Sequence, residues 1–399
     1  MMLSTRPTSF NIIRKYLCLV FTLLFCFLLL ACQTTTSKDF NPNPLLHDEL
    51  FPKFSEVEIE TEDAVFDIGE TATAFVDQQL LRVKGNDQRI KALADGIFNH
   101  TTRSLLYQND ANTTASETFE IKAANCLSLV IMTYAMAEHA NIGVRFQQVT
   151  IPEIWLRRDG YSLLNRHVNL RLYQKSKNNI ILYDSKSYQL DFDRRSQSLK
   201  LPVTKISKQY VLAMYYNNKG ADALIKRNYN TAYAYFRSAI NTEHFLVDAW
   251  TNLGTLYRRI EQMEFAENAY LQALQINSQD RTSLENLAYL YKQTSRQDEA
   301  EKILASIIKQ RAENPFYHYM LGDIEYESQN WLQAIKHYKK SVRLNKQQDQ
   351  FYFSIARSYY QLGDIKNSER YMKLAKRYTH DERQQTLYQR KLDNLATLN

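Results

Sequence analysis

Residues 247–280 read VDAWTNLGTLYRRIEQMEFAENAYLQALQINSQD, and the same spacing of large and small side chains recurs every 34 residues. Windows opening at Ala213, Val247, Arg281, Pro315 and Asp349 align without a gap. Their eighth position holds Gly220, Gly254, Ala288, Gly322 and Ala356, and their twentieth holds Ala232, Ala266, Ala300, Ala334 and Ser368. Large side chains fill the fourth position (Tyr216, Trp250, Leu284, His318, Tyr352) and the twenty-fourth (Phe236, Tyr270, Leu304, Tyr338, Met372). Two antiparallel helices need small residues where their backbones cross, and large ones to fill the groove toward the next pair. A generic amphipathic bundle has no reason to keep one register through five windows. With 27 Tyr and 19 Phe against 9 Gly and 7 Pro, composition also favours long helices, short turns and large apolar anchors.

This pattern resembles the tetratricopeptide repeat. The resemblance implies an all-α solenoid of five repeats over residues 213–380. Residues 381–399, with Leu387, Leu392 and Leu395, resemble a polar-faced capping helix. Such a solenoid carries no chemistry of its own. Its concave face receives a protein or peptide partner, and the Tyr and Asn residues of the first helices suit such a face. His318, where an aromatic or aliphatic residue is usual, is expected to pack rather than to ligate.

The other end of the chain carries a processing signal. Arg14 and Lys15 precede an apolar stretch from Tyr16 to Leu30, shorter than the roughly 20 residues of a spanning helix. Leu29-Leu30-Ala31-Cys32 resembles a bacterial lipobox. The resemblance implies a signal peptide over residues 1–31, a lipid on the Cys32 thiol, and a membrane anchor. Gln33, where an Asp would retain the protein at the inner membrane, implies the outer membrane, with the protein facing the periplasm. Ser, Thr, Asn and Pro from Gln33 to Pro44 read as a flexible tether, so residues 32–50 are expected to be a lipidated linker. Arg6, Arg14 and Lys15 account for three of the +7 net charges. The remaining surface is ordinary and gives no warrant for a nucleic-acid partner.

Between residues 51 and 210 the periodicity changes. Helical spacing covers Ala72 to Arg82, Asp87 to Phe98 and Cys126 to His139, and β-type alternation follows at Val144–Val149, His167–Tyr173, Ile180–Tyr183 and Tyr188–Phe192. Helices followed by antiparallel strands make an α+β domain. With Cys18, Cys26 and Cys32 assigned to the leader and the lipid, Cys126 is left as the free thiol, which excludes a disulfide framework. It opens a helix after Ala124-Asn125, where the positive end of the helix dipole favours a thiolate. A nucleophile needs a base, and the base an orienting group. His167 opens one strand, and Asp184 and Asp191 close two others. Hairpin geometry favours Asp184, because Ile180–Tyr183 can pair with His167–Tyr173. One cysteine and scattered histidines offer no metal-ligand spacing, and no cofactor motif is present. His100 and His139 are expected on helix surfaces.

Asn125-Cys126-Leu127-Ser128-Leu129, the helix that follows, and Ala140-Asn141-Ile142-Gly143-Val144 resemble the nucleophile box of transglutaminase-like domains. Tyr215-Tyr216-Asn217-Asn218-Lys219-Gly220-Ala221 resembles the junction in bacterial lipoproteins that join such a domain to tetratricopeptide repeats. The resemblance implies a papain-like fold with Cys126 as nucleophile, His167 as general base and acid, and Asp191 as orienting carboxylate. Asn125 departs from the Gly found before the nucleophile in many members. The expectation is therefore an α+β transglutaminase-like domain followed by an all-α solenoid. In function it is a membrane-anchored cysteine amidohydrolase or acyltransferase acting on a protein held by the repeats. The alternative is a non-catalytic scaffold lipoprotein.

Overall fold

The five windows each form two antiparallel helices joined by a three-residue turn: α6 (Lys208–Ile225) with α7 (Tyr229–Thr242), α8 (Val247–Arg259) with α9 (Met263–Ile276), α10 (Arg281–Gln293) with α11 (Gln297–Glu313), α12 (Pro315–Glu327) with α13 (Trp331–Leu344), and α14 (Asp349–Gln361) with α15 (Ile365–Tyr378). A final helix, α16 (Glu382–Ala396), packs Tyr388, Leu392 and Leu395 against Tyr352, Ala356 and Met372 of the last pair. The coordinates come from a computed structural model describing residues 41–104, 106–108, 111–121, 123–149, 157–158, 161–162, 167–175, 187–192, 202–379 and 382–396. The leader, Cys32, Asp184 and the expected strand Ile180–Tyr183 lie outside the described residues. Among the described residues no helix is long and apolar enough to cross a membrane.

The small eighth residues do what the register predicts. A Cβ on Gly220, Gly254 or Gly322 would sit 2.6, 2.7 or 2.5 Å from the ring of Phe236, Tyr270 or Tyr338. Each helix pair thus closes by seating its own aromatic ring on a bare backbone. The turns repeat as faithfully. The fifteenth residue of every window is left-handed: Arg227 (φ 61°), Glu261 (63°), Ser295 (61°), Gln329 (61°) and Gly363 (75°). The next amide donates back to the carbonyl five residues earlier, at 2.8–3.0 Å in all five turns, which satisfies an orphan carbonyl at the helix end.

The connections between pairs are less uniform. Helices α9 and α13 stop at Asn277 and Asn345, whose side-chain oxygens accept the N–H of Gln279 (3.1 Å) and Gln347 (3.0 Å). The third window has Arg311-Ala312-Glu313 at the corresponding place. These are good helix formers with no acceptor for such a turn, so α11 runs on to Glu313. Leu304 there is only half-buried, whereas Phe236, Tyr270 and Tyr338 are fully buried.

Upstream lie helices α1 (Glu62–Phe66), α2 (Gly69–Leu80), α3 (Asn86–Ser104), α4 (Ala115–Ile121) and α5 (Cys126–His139). A short parallel pair joins β1 (Leu106–Tyr107) to β2 (Ala123–Ala124), and a small hairpin joins β4 (Arg157–Arg158) to β5 (Tyr161–Ser162). The main sheet among the described residues is antiparallel, in the order β7 (Tyr188–Leu190), β6 (His167–Tyr173), β3 (Gly143–Val149), β8 (Val203–Ile206). Helix α5 is apolar nearly all round and buried along most of its length, as befits a core helix. Strand β8 has no counterpart in the sequence reading. It pairs with the free edge of β3 and leads through the cap residue Ser207, which accepts the N–H of Tyr210 (2.9 Å), into α6. The first repeat helix therefore starts at Lys208, five residues before the first window opens at Ala213.

The segment from Pro42 to Glu60 corrects the tether expectation for residues 42–50. It forms three 3-10 turns that lie on the first two helix pairs. Leu46 and Phe51 are buried, Phe51 stacks on Tyr233 (4.3 Å between centroids), and His47 stacks on Phe265 (3.6 Å). Asp48 accepts from Tyr233 Oη (2.6 Å) and Arg237 Nε (2.9 Å). Glu60 accepts from Tyr235 Oη (2.9 Å) and from Tyr215 Oη (3.2 Å), and pairs with Lys219 (2.9 Å). The polar composition that suggested a linker ends at Pro44; the apolar residues after it have aromatic partners waiting. His100 is likewise no plain surface residue, being half-buried and stacked on Phe119 at 4.4 Å.

The turn geometry sets a test. A non-glycine residue in the left-handed region costs on the order of 1 kcal/mol. Ser295→Gly is expected to raise the urea midpoint by up to about that equivalent, and Gly363→Ala to lower it by a similar amount. Shifts of the opposite sign would contradict the turn assignment.

Candidate active site

Three of the residues singled out in the sequence converge. Cys126 is the first residue of α5, and its Sγ lies 3.2 Å from Nδ1 of His167, the first residue of β6. The other ring nitrogen, Nε2, lies 2.6 Å from Oδ1 of Asp191, just past the end of β7. An ionised carboxylate can only accept, so Nε2 carries the hydrogen and Nδ1 faces the sulfur. His167 and Asp191 are buried, at 4% and 5% exposure. Cys126 is partly exposed and unpaired in any disulfide.

The local sequence explains the placement. Asn125 caps α5, its Oδ1 accepting the N–H of Ser128 at 2.9 Å, which fixes where the helix begins and so where Cys126 stands. Strands β6 and β7 pair Leu170 with Leu190, which carries Asp191 to the level of Asn169. Asn169 Nδ2 donates to Asp191 Oδ2 at 3.0 Å, so both carboxylate oxygens are engaged. The sequence reading missed Asn169, although it stands two residues after His167 in a strand and hence on the same face. It also missed the carbonyl of Val168, which accepts from Cys126 Sγ at 3.0 Å; a backbone acceptor leaves no trace in residue identity. Among the described residues no group of three or more His, Cys, Asp or Glu side chains is placed to hold a metal ion.

Electrostatics at His167 are set by opposing causes. Burial disfavours the imidazolium, but the hydrogen bond to Asp191 and then the Cys126 side chain outweigh it, raising the pKa to about 10. The folded value exceeds the ordinary 6.5, so the stabilisation is fully present below about pH 6.5 and is lost as pH rises through about 10.

The repeat array offers a second kind of surface. Most of its tyrosines are packing residues: Tyr215, Tyr257 and Tyr291 on first helices are buried, whereas Tyr289 and Tyr360 are about half exposed. Arg258 lies over the Tyr289 ring (4.8 Å) and Arg357 over Tyr326 (4.0 Å). Asn252 donates to Asn217 across neighbouring pairs at 2.9 Å. His318 is half-buried, with Nε2 3.1 Å from the carbonyl of Ala312, as a packing residue should be. The groove on α15 lined by Lys366, Arg370, Lys373 and Arg377 is the solvent face of one helix.

Comparison with known families bears on this array. Residues 247–280 and 349–379 match the tetratricopeptide repeat family, and residues 322–363 match a second family described as TPR repeat. The C-terminal helices are tetratricopeptide repeats. They form a protein-interaction module, the use to which stacked repeats of this kind put their extended surfaces. Solved structures with a similar arrangement include a MamA protein (17% identity, 42% of this chain and 91% of that one, TM-score 0.23). PilF of Pseudomonas aeruginosa shares 21% identity over 48% of this chain and 87% of its own, with a TM-score of 0.25. YrrB, described as a TPR protein with an unusual peptide-binding site, shares 13% over 45% and 92%, with a TM-score of 0.24. No curated protein matches the chain.

The pH dependence of the buried pair is measurable. The stability gap between the native chain and His167→Gln, from urea unfolding at a series of pH values, is expected to be widest near pH 6.5 and to shrink toward pH 10. A gap that stays flat would contradict the charged His167–Asp191 pair.

Proposed function

We propose that the repeats bind a protein or peptide and that a transglutaminase-like cysteine centre upstream cleaves or exchanges an amide in that partner. The Cys126–His167–Asp191 constellation carries this reading: sulfur, imidazole and carboxylate in hydrogen-bonding sequence, with the sulfur accessible. Below about pH 10 His167 is the imidazolium, so the thiol proton already rests on Nδ1, and in the first step the Cys126 thiolate bonds to the amide carbon. The proton then passes from Nδ1 to the leaving amine, the C–N bond breaks, and a thioester remains on Cys126. Water or a second amine, losing its proton to Nδ1, attacks the thioester and the sulfur departs. Water makes the centre a hydrolase; an amine makes it an acyltransferase. Asp191 holds the ring and balances the imidazolium throughout. The backbone N–H of Cys126, at the start of α5, is the oxyanion donor the helix terminus offers. The lipobox-like Leu29-Leu30-Ala31-Cys32 supports lipid attachment at Cys32 and a place on the periplasmic side of the outer membrane.

A second reading, a scaffold without turnover, has its own support. Sγ lies 3.0 Å from the carbonyl oxygen of Val168, a contact that suits a neutral thiol and repels a thiolate. The family matches also fall only in the repeats.

Alkylation separates the two. With iodoacetamide near pH 6, an activated Cys126 is expected to react roughly tenfold faster than free cysteine, and His167→Ala to abolish the excess. Reaction at the free-cysteine rate, unchanged by His167→Ala, would leave the scaffold reading.

A further inference from the structure

Asn125 stands where a glycine is common, and its side chain does more than cap α5. Its Oδ1 accepts the N–H of Ser128 at 2.9 Å, and its Nδ2 donates to Oδ1 of Asn112 at 2.6 Å. Asn112 Nδ2 in turn donates to Oδ2 of Asp222 at 2.6 Å. Asp222 belongs to α6, the first tetratricopeptide helix. Three side chains distant in sequence thus run from the repeat array to the residue before Cys126.

The polarity of this chain is forced from both ends, because the Asp222 carboxylate only accepts and the Ser128 N–H only donates. A carboxamide can be turned either way, presenting oxygen or nitrogen to a neighbour. A carboxylate has no such freedom, because it only accepts. Asp222 therefore obliges Asn112 to turn its NH₂ toward the repeat and its oxygen toward Asn125. Asn125 must then turn its NH₂ toward Asn112, which leaves its oxygen for the Ser128 amide. The cap needs an acceptor at that point, and the Asp222 carboxylate at the far end of the chain demands the same polarity. The surrounding backbone is tied to the same place: Thr113 N–H donates to Ser128 Oγ (3.0 Å), and Ser128 Oγ donates to Ala111 O (2.9 Å).

We propose that Asp222 is a positioning residue for Cys126: by fixing the Asn112 and Asn125 amides it sets the cap of α5 and hence the orientation of the thiol toward His167. The positioning role rests on the reading of Cys126 as a nucleophile. It makes the first repeat a structural part of the site rather than an appended arm.

Full-length chain carrying Asp222→Ala or Asp222→Asn tests it. Asparagine keeps an accepting oxygen for Asn112, whereas alanine does not. Two quantities are read on folded protein well below its melting point: amide hydrogen exchange at Ser128, and the iodoacetamide rate at Cys126 across pH 6 to 9. Asp222→Ala is expected to speed Ser128 exchange and slow alkylation, each about fivefold, the factor that corresponds to loss of a typical cap. Asp222→Asn is expected to restore both. Wild-type values in Asp222→Ala would overturn the proposal, even if the melting temperature falls, since a merely structural role lowers stability alone. Equal impairment in both variants would overturn it too, because the accepting oxygen would then not be what matters. A wild-type thiol no more reactive than free cysteine would overturn the nucleophile reading and the positioning role together. Ser128 exchange would still report whether Asp222 sets the cap.

Discussion

Helix α6 has to satisfy three neighbours at once, and the arrangement of the chain from Pro42 onward follows from that. On one face Gly220 leaves the bare backbone that seats the Phe236 ring and closes the first repeat. On another, Tyr215 and Lys219 hold the carboxylate of Glu60, anchoring the segment that leads into the upstream domain. Asp222, toward the C-terminal end of α6, reaches Asn112 beside the start of α5. Burial raises the pKa of Glu60, but the hydrogen bonds from Lys219 and Tyr235 outweigh it and hold the group below the usual carboxylate value. A charge so paired is costly to leave unpartnered while it stays in place, so removing Lys219 or Tyr235 would destabilise the join between segment and repeats. The repeats and the upstream domain share polar groups that neither satisfies alone.

What could be read from the sequence, and what could not, divides along physical lines. The repeats were legible because every pair must solve the same packing problem in the same register. Cys126, His167 and Asp191 were legible because reactive side chains are distinctive and stand at element ends. The choice of Asp191 rested on resemblance, whereas simple hairpin reasoning pointed to Asp184. The observed β6–β7 pairing, Leu170 opposite Leu190, is what carries Asp191 to the imidazole. The segment from Pro42 to Leu50 was misread because its composition was judged without its partners. His47 and Asp48 look like linker residues until Phe265, Tyr233 and Arg237 stand opposite them. The first-helix tyrosines misled in the opposite sense: rich in hydroxyls, they suggested a wet binding face, yet Tyr215, Tyr257 and Tyr291 are buried. Their hydroxyls have partners, such as Glu60 for Tyr215 and Glu267 for Tyr291.

The chain carries a protein-binding array and a Cys–His–Asp constellation together. The extended α11 shows that the array is not uniform: where Arg311 replaces the turn-forming asparagine the helix runs on to Glu313, and Leu304 in that pair is half-buried where Phe236, Tyr270 and Tyr338 are sealed. The thiol sits between two acceptors of different consequence. His167 Nδ1 can take its proton for good, whereas the Val168 carbonyl can only share it. Which of them prevails depends on the charge of the imidazole, and that depends on Asp191.

The most direct measurement is therefore a ¹H–¹⁵N NMR titration of the His167 ring in the folded chain. The account predicts an Nε2 proton held in a strong hydrogen bond to Asp191 and a ring that stays protonated until the pH approaches about 10. A ring that loses its charge near its ordinary value of 6.5 would contradict it.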